Sequence, residues 1–136
     1  MFGPPGRLYV YFSYGMHWCV NVVCGPEGVS EAVLLRAGEP LSGLDVMRSR
    51  RGDVRDERLL ASGPGRLAQA LGIDRRDDGA LLLRGGRFWC SEDATTAELR
   101  AAGISRTTRI GLGTGRGDDL DWRFVISGHP HASRRA

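Results

Sequence analysis

Residues 8–25, LYVYFSYGMHWCVNVVCG, hold all three tyrosines of the chain, one of its three tryptophans and no formal charge. Aromatic and β-branched side chains crowd residues 8–12 and 18–24, and both groups fit a pleated, half-buried surface better than a helix. Tyr14-Gly15 between the two runs supplies a turn, so the stretch predicts two paired strands. A membrane span is excluded by Ser13, Gly15, His17, Asn21 and Gly25, and the small-residue cleavage pattern of a secretory signal does not follow. Alternation places Tyr9 and Tyr11 on one face of the first strand and Tyr14 in the bend. An exposed aromatic at a tight turn points to a partner.

Farther on, AVLLR at residues 32–36 reads as a third buried strand. PLSGLDVMRSRRG then changes period: Leu41, Leu44 and Met47 share a face, Ser42 is placed to cap the helix and Gly52 to end it. LLASGPGRLAQALGI breaks at Gly63-Pro64 and restarts as a helix running to Gly72. LLLRGGRFWC predicts a hairpin turning at Gly85-Gly86, and strands return at RIGLG and WRFVIS. Three strands, then helices, then more strands is not the regular alternation of a doubly wound sheet. The expectation is α+β, with a few helices and a mainly antiparallel, curved sheet. With 136 residues, 41% of them hydrophobic, the chain suits one domain, 1–136.

Charge and cysteines exclude more than they identify. All 19 basic residues are arginine and the net charge is +3, a modest excess that suits a polyanion without demanding one. Three cysteines, an odd number, argue against a disulfide framework and for buried reduced thiols in the cytoplasm. His17, Cys19 and Cys24 lack the second close pair that a tetrahedral zinc site needs, so no metal is expected. GLGTGRG at 111–117 has the glycines of a phosphate loop, but DDLDW follows instead of a helix, and it reads as a turn between strands. SGPGRL is better placed: Gly63 and Gly65 would let backbone amides approach a phosphate at a helix start, and Arg66 adds a charge.

Together MFGPPGRLYVYFSYGMHWCVNVVC, AVLLRAGEP, LASGPGRLAQALGI, TRIGLG and WRFVISGHP run in order over nearly the whole chain. They resemble the alkyladenine (3-methyladenine) DNA glycosylase family of base-excision repair. The resemblance implies a monomer, cytoplasmic and associated with a bacterial nucleoid. Such a protein flips an alkylated or deaminated purine out of double-stranded DNA and hydrolyses its N-glycosidic bond without metal or cofactor. It assigns Tyr14 as the wedge that enters the duplex, Tyr11 as the ring stacking on the extruded base, and Asn21 as the pocket-floor residue excluding the 2-amino group of guanine. Arg36 and the backbone carbonyl of Ile110 are implied to hold the attacking water, and Gly63, Gly65 and Arg66 to meet the DNA backbone. Unstacking a base costs a few kcal/mol, which aromatic stacking in the pocket and in the vacated duplex offsets.

In one respect the sequence departs from the family pattern. The family's general-base glutamate, with a tyrosine and a histidine of the pocket wall, comes from a segment ahead of the MF…PG motif at which this sequence starts. Glu27, Glu31 and Glu39 do not occupy that position. The expectation is therefore an amino-terminally incomplete domain, impaired or inactive as a glycosylase, with an unpaired strand edge and apolar exposure around the aromatic block. A catalytically dead DNA-binding remnant is the alternative, and a protein-interaction domain using the aromatic patch is a third.

Overall fold

The computed structural model describes residues 1–132, which fall into two compact units divided after Cys90. Its three α-helices and its antiparallel sheets of three and two strands make the α+β architecture expected from the sequence.

In the first unit, β1 (Leu8–Ser13) and β2 (His17–Val23) pair antiparallel from Leu8–Val22 to Ser13–His17, and the short β3 (Ala32–Leu34) adds to the far side of β2. β2 is the central strand, which explains why Cys19, Val20 and Asn21 are all buried where simple alternation would expose every second residue. On one face Leu8, Val10 and Val20 pack with Ala68 and Ile73, flanked by Trp18, Val22 and Leu35. Each such aliphatic side chain contributes roughly 1.5–3 kcal/mol on leaving water.

Two helices follow, α1 (Leu44–Arg50) and α2 (Pro64–Leu71). Pro64 starts α2 with φ already set, Gly72 ends it left-handed, and its buried side, Leu67, Ala68 and Ala70, lies against the sheet and Met47. α1 buries no residue fully and is tied down by polar reach: Arg50 donates to the Ala70 carbonyl (3.1 Å), Arg51 to Leu60 O (3.0 Å) and to Gln69 Oε1 (2.7 Å). Burial, with the like charge of Arg66, pulls the Arg51 guanidinium below its ordinary pKa. Ser42 does not cap α1. The chain enters through left-handed Gly43 without a side-chain cap, which leaves Leu41 outside the helix and 78% exposed.

Three further departures have physical causes. β3 stops at Leu34 because the chain then changes partner: Ala37 bridges Ser62, and the Arg36 carbonyl accepts from Gly63 N at 2.8 Å. The hairpin expected around Gly85-Gly86 is reduced to a turn and a single bridge, Gly86 N donating to Leu83 O (2.8 Å) and Leu83 N to Phe88 O (3.0 Å), because the preceding residues are drawn to the outer edge of β1. There Leu8 N donates to Ala80 O, Gly79 N to Leu8 O, Leu82 N to Gly6 O, and Val10 N to the Asp78 carboxylate at 2.9 Å. Thus the edge expected to be bare is satisfied from residue 6 to residue 10, and apolar exposure concentrates instead on Phe12, Tyr14 and Met16 at the hairpin end. Single-turn 3₁₀ segments, Glu57–Leu59 and Arg75–Asp77, precede and follow α2.

The second unit opens with α3 (Ala94–Ala101), which the sequence reading passed over; its signal was the reciprocal capping box of Asp93 and Thr96. A two-stranded ribbon follows, β4 (Ile104–Thr107) with β5 (Arg123–Ile126), paired from Ile104–Ile126 to Thr107–Arg123. The strand expected at RIGLG is displaced toward the amino terminus, because Gly111 takes φ 80° and leaves the extended region. GLGTGRG accordingly lies in the connection between β4 and β5, a turn between strands as expected.

Candidate nucleic-acid interface

Strand register builds the candidate site in the first unit. Tyr9 opposes Asn21 and Tyr11 opposes Cys19, so all four side chains share the face of the sheet turned away from Val10, Val20 and Ala68. The Tyr9 and Tyr11 rings lie 5.5 Å apart, inclined by only 21°, and form a half-buried aromatic shelf. Asn21, 6% exposed, donates its amide to the Tyr9 carbonyl at 3.3 Å, which holds the side chain in place beside the shelf. Burial, followed by the neighbouring Cys19 thiol, raises the Tyr11 phenol above its ordinary pKa. The contact with Cys19 was not read from the sequence, although the two-residue alternation of both strands contained it.

Tyr14 stands at the end of the hairpin. The Met16 amide donates to the Ser13 carbonyl at 3.0 Å, and both central residues of that turn have positive φ, 51° at Tyr14 and 66° at Gly15. Two positive φ values match the twist of paired strands, but for a bulky side chain the left-handed region costs roughly 1–2 kcal/mol. The turn thus holds a strained aromatic residue, 79% exposed, at its tip. Strain of this kind persists where a function uses it.

Arg36 is half-buried two residues beyond Leu34, the β3 partner of Asn21, and its carbonyl anchors the Gly63 amide. The start of α2 is therefore joined to the segment that follows β3 and carries Arg36. Within that start Gly65 has a packing reason to lack a side chain: a Cβ there would sit 2.4 Å from the His17 imidazole. Arg66 is exposed, 3.4 Å from the Ser62 hydroxyl, and with Arg51 concentrates positive charge at this helix end. Strand register unites Tyr9, Tyr11, Cys19 and Asn21 on one face. Ile110 belongs to the second unit, at the entry to the glycine-rich connection.

The expected thiol burial holds for Cys19 alone; Cys24 and Cys90 are exposed, because Cys24 lies just past the end of β2 and Cys90 follows the turn at Gly86. Among the described residues no group of three or more His, Cys, Asp or Glu side chains is placed to hold a metal ion, and no helix is long and apolar enough to cross a membrane.

Known proteins resemble this chain over most of its length. The family model described as methylpurine-DNA glycosylase matches residues 1–130. A protein of Burkholderia lata is 46% identical over 133 residues, 98% of this chain and 62% of its own length. One of Methanoculleus marisnigri is 50% identical over 135 residues (99% and 68%), and one of Chlorobaculum parvum 50% over 133 residues (98% and 60%). Each bears the name "Putative 3-methyladenine DNA glycosylase". The chain thus spans between 60% and 68% of the length of these relatives.

Proposed function

The chain belongs to the methylpurine-DNA glycosylase family, and on that premise we propose that it recognises alkylated or deaminated purines in duplex DNA by extruding them from the helix. Tyr14 fills the space that the base vacates, the Tyr9–Tyr11 shelf receives the base, and Asn21 rejects guanine through its buried amide. The reaction served by this arrangement is hydrolysis. The oxygen of water bonds to the sugar C1′, the C1′–N bond breaks, and the bonding electron pair leaves with the purine, while the proton that the water loses ends on the departing ring nitrogen of a neutral purine, or in solvent where a cationic alkylated purine leaves as its neutral base. In the first unit Arg36 would help to hold the water and the Gly63–Arg66 turn, with its positive charge, would take the DNA backbone; in the second the Ile110 carbonyl is the acceptor for water that the family resemblance assigns.

The observation that carries the reading is the strained, exposed Tyr14 placed beyond an aromatic shelf on the same hairpin. An aligned general base contributes roughly 10²- to 10⁴-fold to such a step, so excision and lesion recognition are separable quantities, and recognition without excision is the alternative function.

The test measures both quantities on one duplex carrying a single deoxyinosine. Release of free hypoxanthine establishes the glycosylase. Lesion-selective binding without release, with affinity falling by about 0.9 log units per log unit of salt for each phosphate contacted, establishes the recognition module. Binding that ignores the lesion or the salt concentration overturns both.

A further inference from the structure

In the second unit the connection between β4 and β5 is ordered by hydrogen bonds and not by a core: Arg116 N donates to Gly113 O at 3.2 Å and Leu120 N to Gly117 O at 3.3 Å. Residues 111–117 include four glycines, of which Gly111, Gly115 and Gly117 have positive φ, and among the described residues of this unit no apolar side chain is buried. One side chain nevertheless closes the loop. Arg109 reaches eight positions forward, its Nε donating to Gly117 O at 3.0 Å and its Nη2 to Arg116 O at 2.7 Å, while the guanidinium lies over the Trp122 ring at 5.4 Å. Two charge-assisted bonds from a planar fork together with a stacked ring fix direction as well as distance. Gly117 admits the fork because it has no side chain: a Cβ there would lie 2.1 Å from Arg109 Nη2. Inside the loop, Gly115 N donates to Asp118 Oδ1 at 2.8 Å.

The residue that clasps the loop immediately precedes Ile110, whose carbonyl shares a peptide plane with Gly111 at φ 80°. We propose that Arg109 is the positioning residue for the Ile110 carbonyl: by locking residues 116–117 and Trp122 onto its own side chain it fixes the direction in which that oxygen points. The catalytic part of this inference rests on the role proposed above for Ile110; the conformational part does not. A backbone acceptor cannot be re-aimed by changing its own side chain, so its orientation depends on what holds the loop.

The sequence offers a selective probe, since Ile110-Gly111 is the one Ile-Gly pair in the chain. Labelling isoleucine with carbonyl ¹³C and glycine with ¹⁵N yields a single carbon–nitrogen correlation, that of the Ile110 carbonyl with the Gly111 amide. Arg109→Lys, which keeps the charge and loses the fork, and Gly117→Ala, which blocks the fork from the other side, are each expected to move this correlation while leaving the glycines of residues 1–90 in place. An unmoved correlation in both variants overturns the inference. For catalysis, excision by Arg109→Lys should fall by about 10²-fold, the scale of an ångström of misplacement, with duplex affinity within about twofold of the parent. Equal losses of rate and affinity count against positioning. A parent chain that releases no base counts against the glycosylase reading alone, and the correlation still decides whether Arg109 sets this carbonyl.

Discussion

The two units hold their functional groups by different physics. Residues 1–90 contain every buried apolar side chain among the described residues, from Leu8 to Ile73, and they place Tyr9, Tyr11 and Asn21 by packing and strand register. In residues 91–132 the buried residue is Arg123, which donates to the Thr107 hydroxyl at 2.9 Å, and the ribbon and its loop are held by hydrogen bonds and by arginines lying over Phe124 and Trp122. The role proposed for the first site, receiving an extruded base, would call for a rigid sheet behind it. A single backbone oxygen needs only its local loop fixed, and one arginine can do that.

The contrast is easiest to break through the core. Leu60 is fully buried, and Leu60→Ala should cost about 2–5 kcal/mol in denaturant unfolding, as large-to-small core changes do. Phe124, 63% exposed, should lose less than about 1 kcal/mol as Phe124→Ala, since little of its surface leaves water and the stacked guanidinium of Arg106 is worth about 0.5–1 kcal/mol at an exposed site. Similar losses at the two positions would erase the distinction between the units.

Tyr14→Gly sharpens it within the first unit. Removing the ring should weaken binding to a lesion-bearing duplex by about 1–3 kcal/mol, the worth of one stacked base, and leave binding to intact duplex almost unchanged. Thermal unfolding should show no loss of stability, because glycine adopts the left-handed turn without the penalty that tyrosine bears. A clear loss of stability would mean that the ring packs inside the fold and is no wedge.

The smallest effect concerns acid. Bonds from the Arg76 side chain and backbone hold the Asp74 carboxyl at about 2, below its ordinary value of 3.8. Because the folded-state pKa is the depressed one, Asp74 stabilises the Arg75–Asp77 turn fully above about pH 4, and that contribution is lost as pH falls toward 2. The group is exposed, so the change should be confined to this turn. Exchange of the Arg76 amide should accelerate across that window relative to the intrinsic rate in the parent, and the acceleration should be missing in Asp74→Asn.

Much of the fold was legible in residue order. Aromatic and β-branched runs around Tyr14-Gly15 specified β1 and β2 to within a residue, and Gly63-Pro64 with Gly72 bracketed α2, because strand preference, turn chemistry and caps act over a few neighbouring residues. Reading failed where a distant partner outcompeted a local preference. Leu81 and Leu82, which look like the arm of a hairpin, give their main chain to the edge of β1, and the residues after Leu35, whose amide still donates to Val20 O of β2, turn to residues 61–63. In the second unit the glycines of RIGLG cancelled the extended preference of their neighbours, and α3 lay in a capping box that went unread.

The sequence by itself determined the family, the hairpin and the placing of Tyr9 with Tyr11 on one face, since a two-residue alternation needs no knowledge of the rest of the molecule. Tertiary structure alone decided that Asn21 lies beside that shelf, that Tyr14 bears a left-handed backbone, that Asp78 guards the edge of β1 and that Arg109 closes a loop on Gly117. The reason is range: each of these depends on the register of two strands or on a reach across several turns of chain, and such pairings are fixed only when the whole unit packs.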